Sequence, residues 1–436
     1  MALVLSISAG FVLMSDWDES DAAVVASGTC GTNLNWEYDD ATKTLTISGT
    51  GTTISSSTPS NWGGHNTEIE NVVFPSGITS IGGYAFSNCT NLALTELPSG
   101  ITSIGDNAFE KCTNLALTEL PSGITSIGSN TFEGCTNLVS MSIPSTVTSI
   151  GYGAFRNCSN LASVEYGSVN CMIGSGAYRV FDGCAALTEI TMGENVSVVP
   201  NYLFATVSSL KTINFNAVDC HDFTTDNQIF YGTAVDTIVF GDGVTRVPAH
   251  LCKDMTSTLE SVSFNDDLNE IGIGAFQNCS NMVVLALPNV ETVGANAFEG
   301  CTELAIQTLP VSLTTVGEQA FKGCTGIDHL LVPKGFAAEI GTDAFDGCTN
   351  LTEILNLSDL DIVAGAETHG KIGYYATVSD SIDDVAMVQD KEFKQHTIEP
   401  KDDAASKLLR VLPILIVVGL LMGIIGMFYF GRKNTA

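Results

Sequence analysis

Six histidines, thirteen cysteines and 48 carboxylates are the raw material for chemistry in this 436-residue chain. Their spacing offers little of it. His65, His221, His250, His329, His369 and His396 are scattered, whereas a zinc site gathers His and Cys at short intervals. Cys220-His221 is a single pair. No Gly-x-Ser-x-Gly elbow or phosphate-binding P-loop occurs, and Gly151-Tyr152-Gly153 lacks the third glycine of a dinucleotide fingerprint. Asp266 and Asp267 are adjacent, but glycosidase carboxylates must face each other across a cleft. Asp222, Asp226, Asp242, Asp266 and Asp267 form an acidic set without the spacing of a calcium loop. The chain therefore reads as a non-enzyme that needs no cofactor and no metal. What remains is non-covalent recognition. Tyr178, Arg179, Tyr202, His221, Asp222, Asp226, Tyr231, Arg246 and His250 place aromatic and charged groups where most of the chain has Ser, Gly and Thr. Tyr and Arg are enriched at binding surfaces, and these nine residues form the candidate binding patch.

The elements that must position them come from a repeat. Residues 94–116 read LTELPSGITSIGDNAFEKCTNLA and residues 117–139 read LTELPSGITSIGSNTFEGCTNLV. Such a period means a solenoid, in which each unit lacks a core of its own and stacks on its neighbours. The unit is x-x-x-L-P-x-x-I-T-S-I-G-x-x-A-F-x-x-C-T-N-L. Its first part is expected to be a short strand before Pro, at Thr95–Leu97 and Met141–Ile143. Ile101 to Ile104 alternate before a turn at Gly105. Ala108, Phe109 and Cys112 fall on one face of a helical turn. Leu97, Ile101, Ile104, Ala108, Phe109, Cys112 and Leu115 should all point inward. The motif fades between Ser163 and Leu259, where the whole patch lies, and returns at Phe276.

Cysteines follow the same logic. Cys89, Cys112, Cys135, Cys158, Cys184, Cys279, Cys301, Cys324 and Cys348 sit three residues after a Phe, as small buried hydrophobes at one solenoid position. Cys30, Cys171, Cys220 and Cys252 lie off the pattern and are the better disulfide candidates. Asn88-Cys89-Thr90, Asn157-Cys158-Ser159 and Asn278-Cys279-Ser280 are formal glycosylation sequons that coincide with the repeat, while Asn195-Val196-Ser197 lies outside it.

The ends differ. Ala2 to Met14 is an apolar stretch too short to span a bilayer and suits a secretory signal, though no Lys or Arg precedes it. Val411 to Phe430 is apolar, uncharged and about the 20 residues that span a membrane. Gly419 and Gly423 form a GxxxG pair that suits weak dimerisation there. The expected division is a signal peptide at 1–26, an N-terminal β cap at 27–70, about twelve repeats at 71–351, a C-terminal cap at 352–378, a charged stalk at 379–408, a transmembrane helix at 409–431 and a cytoplasmic tail at 432–436. The net charge of −31 repels nucleic acid, whose binding depends on neutralising phosphates.

These residues carry a resemblance. The unit is similar to the leucine-rich repeat of BspA-like surface proteins, with Ile143-Pro144, Ser149-Ile150-Gly151, Ala154-Phe155 and Cys158-Ser159-Asn160-Leu161 as one full match. The opening Ser27-Gly28-Thr29-Cys30-Gly31 with Trp36 is similar as well. The resemblance implies a right-handed β-rich solenoid on a microbial cell surface, acting as an adhesin or ligand-binding module without catalytic residues. The expected function is a membrane-anchored protein, its bulk extracellular, that binds extracellular proteins, glycans or other cells. The alternative is a structural component of the cell envelope without a specific ligand.

Overall fold

The computed structural model describes residues 24–54, 62–173, 179–226, 228–284 and 286–380. The signal segment up to residue 23, the stalk from residue 381, the apolar run and its Gly419/Gly423 pair lie outside them. Among the described residues no helix is long and apolar enough to cross a membrane. The described residues up to Val378 form one compact unit.

Each regular rung contributes three backbone columns. The first is a two-residue strand: Ser80–Ile81, Ser103–Ile104, Ser126–Ile127 and Ser149–Ile150 pair in parallel at one register. Isoleucine points in and serine out. A glycine follows each strand because the preceding rung crosses there at backbone contact. A Cβ on Gly151 would lie 2.3 Å from Ser129 N, whereas one on Gly123 would meet nothing nearer than Ile101 O at 3.9 Å. Gly151→Ala is therefore expected to destabilise by about 1–3 kcal/mol through overpacking. Gly123→Ala is expected to stabilise by about 0.4–1 kcal/mol through the unfolded chain. Paired urea melts measure both, and equal midpoints would contradict this account of the glycine column.

The second column replaces the expected helical turn. Asn107, Phe109 and Lys111 N–H groups donate to Ser129, Thr131 and Glu133 carbonyls of the next rung at 2.8, 2.8 and 2.6 Å. The alternate Ala108, Glu110 and Cys112 N–H groups donate three residues back, to Gly105, Asn107 and Phe109. A helix sends every N–H to its own chain four residues back. Here half of them serve the neighbour, so consecutive tight turns form instead. Each pair of turns places residues in the left-handed region, Asn107 at φ 57° and Lys111 at φ 58°. Asn and Gly tolerate this best. Asn88, Asn157 and Asn278 of the formal sequons occupy the same left-handed place. The seven side chains expected to point inward are all buried, because the turn keeps them on the core side.

The phenylalanines of this column stack ring on ring. Trp62 starts the stack at 5.7 Å from Phe86, and Phe86, Phe109, Phe132, Phe155, Phe181 and Phe204 follow at 5.2–5.9 Å. Where the motif fades, the core is refilled. In the rung at 251–255, Cys252 N donates to Ala275 O as Phe86 N does to Ala108 O. Cys252 thus holds the phenylalanine place, and Leu251 and Met255 are larger than the Ala and Cys they replace. The stack resumes from Phe276 to Phe345.

Cysteine closes the column. The Sγ–H of Cys112 donates to Phe86 O of the preceding rung at 3.0 Å, and Cys135, Cys158, Cys301, Cys324 and Cys348 repeat the contact at 3.1 Å. All thirteen cysteines are free and buried, including Cys30, Cys171, Cys220 and Cys252, which the sequence offered as disulfide candidates. Burial pushes the Cys89, Cys301 and Cys348 thiols up to about 12.

The third column departs most from expectation. Ser140–Ile143, Ser163–Tyr166, Glu189–Met192, Thr212–Phe215, Thr237–Phe240 and Ser261–Ser263 form a continuous six-stranded parallel sheet. It occupies the stretch where the motif fades. No strand forms at Thr95–Leu97. The cause is apolar spacing. Met141 and Ile143, or Ile213 and Phe215, bury alternate residues, as a strand does. Leu117 and Leu120, or Ile306 and Leu309, bury residues three apart, which a strand cannot turn to one side.

Caps close the unit. Val24–Gly31, Leu34–Asp39 and Thr44–Gly49 form an antiparallel sheet, so Val24, Val25 and Ala26 belong to it. Thr44–Gly49 then pairs in parallel with Asn71–Val73. At the far end Lys371 lies 3.0 Å from both Asp343 and Asp346. Its hydrogen bonds to both carboxylates keep its pKa raised.

Candidate ligand-binding face

The short-strand column is interrupted between Met172–Ile173 and Arg246–Val247. The patch residues fall in and around this gap. Arg246 begins the second set of short strands and pairs in register with Glu270. Its guanidinium hydrogen-bonds Asp222 one rung earlier, donates to Cys220 O at 3.4 Å and lies 3.6 Å from the Glu270 carboxylate. Asp222, Arg246 and Glu270 thus make an ion ladder across successive rungs. Asp222 also accepts the Ala249 N–H at 2.8 Å.

The electrostatics hold these charges in place. Partial burial works against ionised Asp222, but the Ala249 N–H and the Arg246 guanidinium outweigh it, and its pKa is lowered. Burial likewise opposes charged Arg246, yet Asp222 and Glu270 raise its pKa. Both stay charged at any physiological pH. His250 shifts the other way: partial burial, then the Lys253 charge, lower its pKa and favour the neutral ring. A Cβ on Gly274 would lie 2.6 Å from His250 Nδ1, so the imidazole lies against the next rung.

Tyr202 and His250 take the same left-handed turn position, φ 63° and 57°. Asn201 ties Tyr202 to the following rung. Its Oδ1 accepts the Tyr202 and Gln228 N–H groups at 3.2 and 2.6 Å, and its Nδ2 donates to Asp226 O at 3.3 Å. Tyr231 is 62% exposed; its carbonyl accepts the Thr206 N–H at 2.7 Å. His221 is exposed. Arg179 belongs to a different group, 3.5 Å from Asp182, which also lies 3.8 Å from Arg156. Tyr178 lies outside the described residues.

The structure thus brings Asp222, Arg246 and His250 together, sets Tyr202 and Asp226 side by side through Asn201, and leaves Arg179 apart. Sequence reasoning missed Glu270 and Asn201. Glu270 was detectable, since Asp222 and Arg246 are 24 residues apart and Glu270 repeats that interval. No three His, Cys, Asp or Glu side chains gather to hold a metal ion among the described residues. The single Arg246 charge is shared by two carboxylates, and this arrangement suits non-covalent contact.

Comparison with known proteins follows from this geometry. Residues 65–179, 175–258 and 247–364 match the family model described as a BspA type leucine rich repeat region. No curated protein matches the chain. Among solved structures, a leucine-rich repeat protein from Bacteroides ovatus is 22% identical, with 80% of this chain and 98% of that one covered, at TM-score 0.41. A leucine rich cell surface protein from Faecalibacterium prausnitzii is 22% identical over 76% of this chain and 95% of that one, at TM-score 0.28. The pneumococcal vaccine antigen PcpA is 15% identical over 85% and 96%, at TM-score 0.30.

Proposed function

Since the chain belongs to the BspA-type leucine-rich-repeat family, we propose that it is a non-catalytic binding protein of the cell exterior, held at a membrane by its C-terminal apolar run and recognising an extracellular protein or surface glycan. The observation that carries this reading is the ion ladder of Asp222, Arg246 and Glu270, in the same diverged stretch as Tyr202 and exposed Tyr231. Arg246 and Glu270 replace the strand serine of other rungs just where the short-strand column resumes. Fixed charges and exposed aromatic side chains suit selective, non-covalent contact. The strongly acidic surface favours a partner that is neutral or basic.

The test is saturable binding of the purified chain to a panel of extracellular proteins, surface glycans and intact cells. A Tyr202→Ala/Tyr231→Ala/Arg246→Ala variant is expected to lose that binding while its melting curve shows a folded solenoid. Undiminished binding of the folded variant to every partner that the intact chain binds would reject the patch. No binding across the panel would favour an envelope-coat role without a specific ligand.

A further inference from the structure

The long-strand sheet carries a second feature, which shares no residue with the patch. In regular rungs this column ends on a proline, Pro98, Pro121 and Pro144, the last directly after the Ser140–Ile143 strand. In the next two rungs it is Gly167 and Gly193, whose N–H groups extend the ladder to Ile143 and Tyr166 carbonyls at 2.8 and 2.9 Å. Losing two side chains in succession opens a trough with a volume of about 340 Å³. Glu165, Thr191, Glu194, Asn195 and Pro144 line it. So does Asn216, whose amide lies over Gly241 of the following rung.

We propose that this trough binds a short stretch of neutral polysaccharide. No Lys or Arg lines it and two carboxylates do, so an anionic ligand is repelled, the more so in a chain of net charge −31. Two carboxylates alone do not chelate a metal ion, and no larger ligand set gathers among the described residues. Apolar ligands find Ile143 and Pro144 only. An extended peptide lying along the trough repeats every two residues, about 6.6 Å, and falls out of step with rungs about 4.8 Å apart. A sugar chain satisfies the lining. Its hydroxyls both donate and accept, carboxylates take hydroxyl donors in pairs, and the Asn195 and Asn216 amides offer one of each. The bare glycine floor admits a pyranose ring without a side chain in the way.

The experiment titrates the full chain with neutral di- to tetrasaccharides of glucose, xylose, mannose, galactose and N-acetylglucosamine, by calorimetry or ligand-observed NMR. At least one series is expected to bind saturably. Gly193→Val fills the trough at a position where a Cβ meets nothing nearer than Gly167 Cα at 3.4 Å. Glu165→Gln removes one acceptor pair on an exposed side chain. Each is expected to weaken binding about tenfold or more with an unchanged melting curve. Arg246→Ala should leave this binding unaltered, which separates the trough from the patch. Absence of binding by every neutral series, equal affinity in both folded trough variants, or preference for anionic sugars would overturn the proposal.

Discussion

Raising the pH from about 8 to about 11 under reducing conditions unfolds the solenoid across a narrow interval. The cause is the buried cysteine column. An unfolded thiol ionises near about 8.5. In the fold, burial pushes Cys30 up to about 11 and Cys89, Cys220, Cys301 and Cys348 up to about 12. Burial raises Cys112, Cys279 and Cys324 as well. The sign follows. Below the unfolded pKa both states hold the proton, and the thiols' contribution is fully present. Above it the unfolded chain releases protons that the folded chain keeps, so stability falls by about 1.4 kcal/mol per pH unit for each such thiol. Several acting together make the slope steep. Urea melts at stepped pH measure it, with thiolate absorbance read in parallel. Thiolate appearing near the unfolded pKa while the solenoid stays folded would refute the mechanism. Replacing Cys112, Cys135 and Cys158 by Ala should flatten the slope.

Phe132→Ala is expected to cost about 3–5 kcal/mol, the usual range for emptying a buried phenylalanine site. Phe132 is fully buried and stacked on both sides, 5.6 Å from Phe109 and 5.2 Å from Phe155 at interplanar angles of 4° and 17°. Its removal takes away two aromatic contacts of about 0.5–1.5 kcal/mol each along with the apolar burial. In a stack whose stability is a sum of nearest-neighbour terms, the loss falls on the two interfaces that flank the rung. The denaturant transition should shift and broaden as the segments on either side uncouple. Phe132→Leu, which keeps apolar volume without the ring, should restore part of the midpoint. A single sharp transition at the original midpoint for the alanine variant would show that the stack contributes little.

Much of this was legible from the chain. The repeat revealed the solenoid, the inward side chains and the cysteines as packing groups. The turn Asp39 to Thr42 between two cap strands was readable too, and Asp39 Oδ1 accepts the Ala41 and Thr42 N–H groups. The helical turn was misread because Ala108, Phe109 and Cys112 have the same periodicity in two tight turns as in a helix. Only the Asn and Gly at the flanking left-handed positions distinguish them. The fading of the F-x-x-C motif hid the most regular sheet, since one column lost its signature while another gained strict alternation, as at Ile190 and Met192. Of the patch, the charged residues were visible, but not their pairing. An ion ladder between rungs is a relation across the stack, and single positions do not display it.

The in-register ladder from Ser103 to Ser126 to Ser149 has a genetic consequence. Every regular rung presents N–H donors to the next rung and matching carbonyls to the one before, so a gene segment encoding one whole unit can be duplicated or lost without creating a mismatched junction. The near-identity of residues 94–116 and 117–139 is the mark such a duplication leaves. Length in this chain is thus free to vary by inheritance in whole rungs, while the diverged centre, which no neighbouring rung duplicates, is fixed in place.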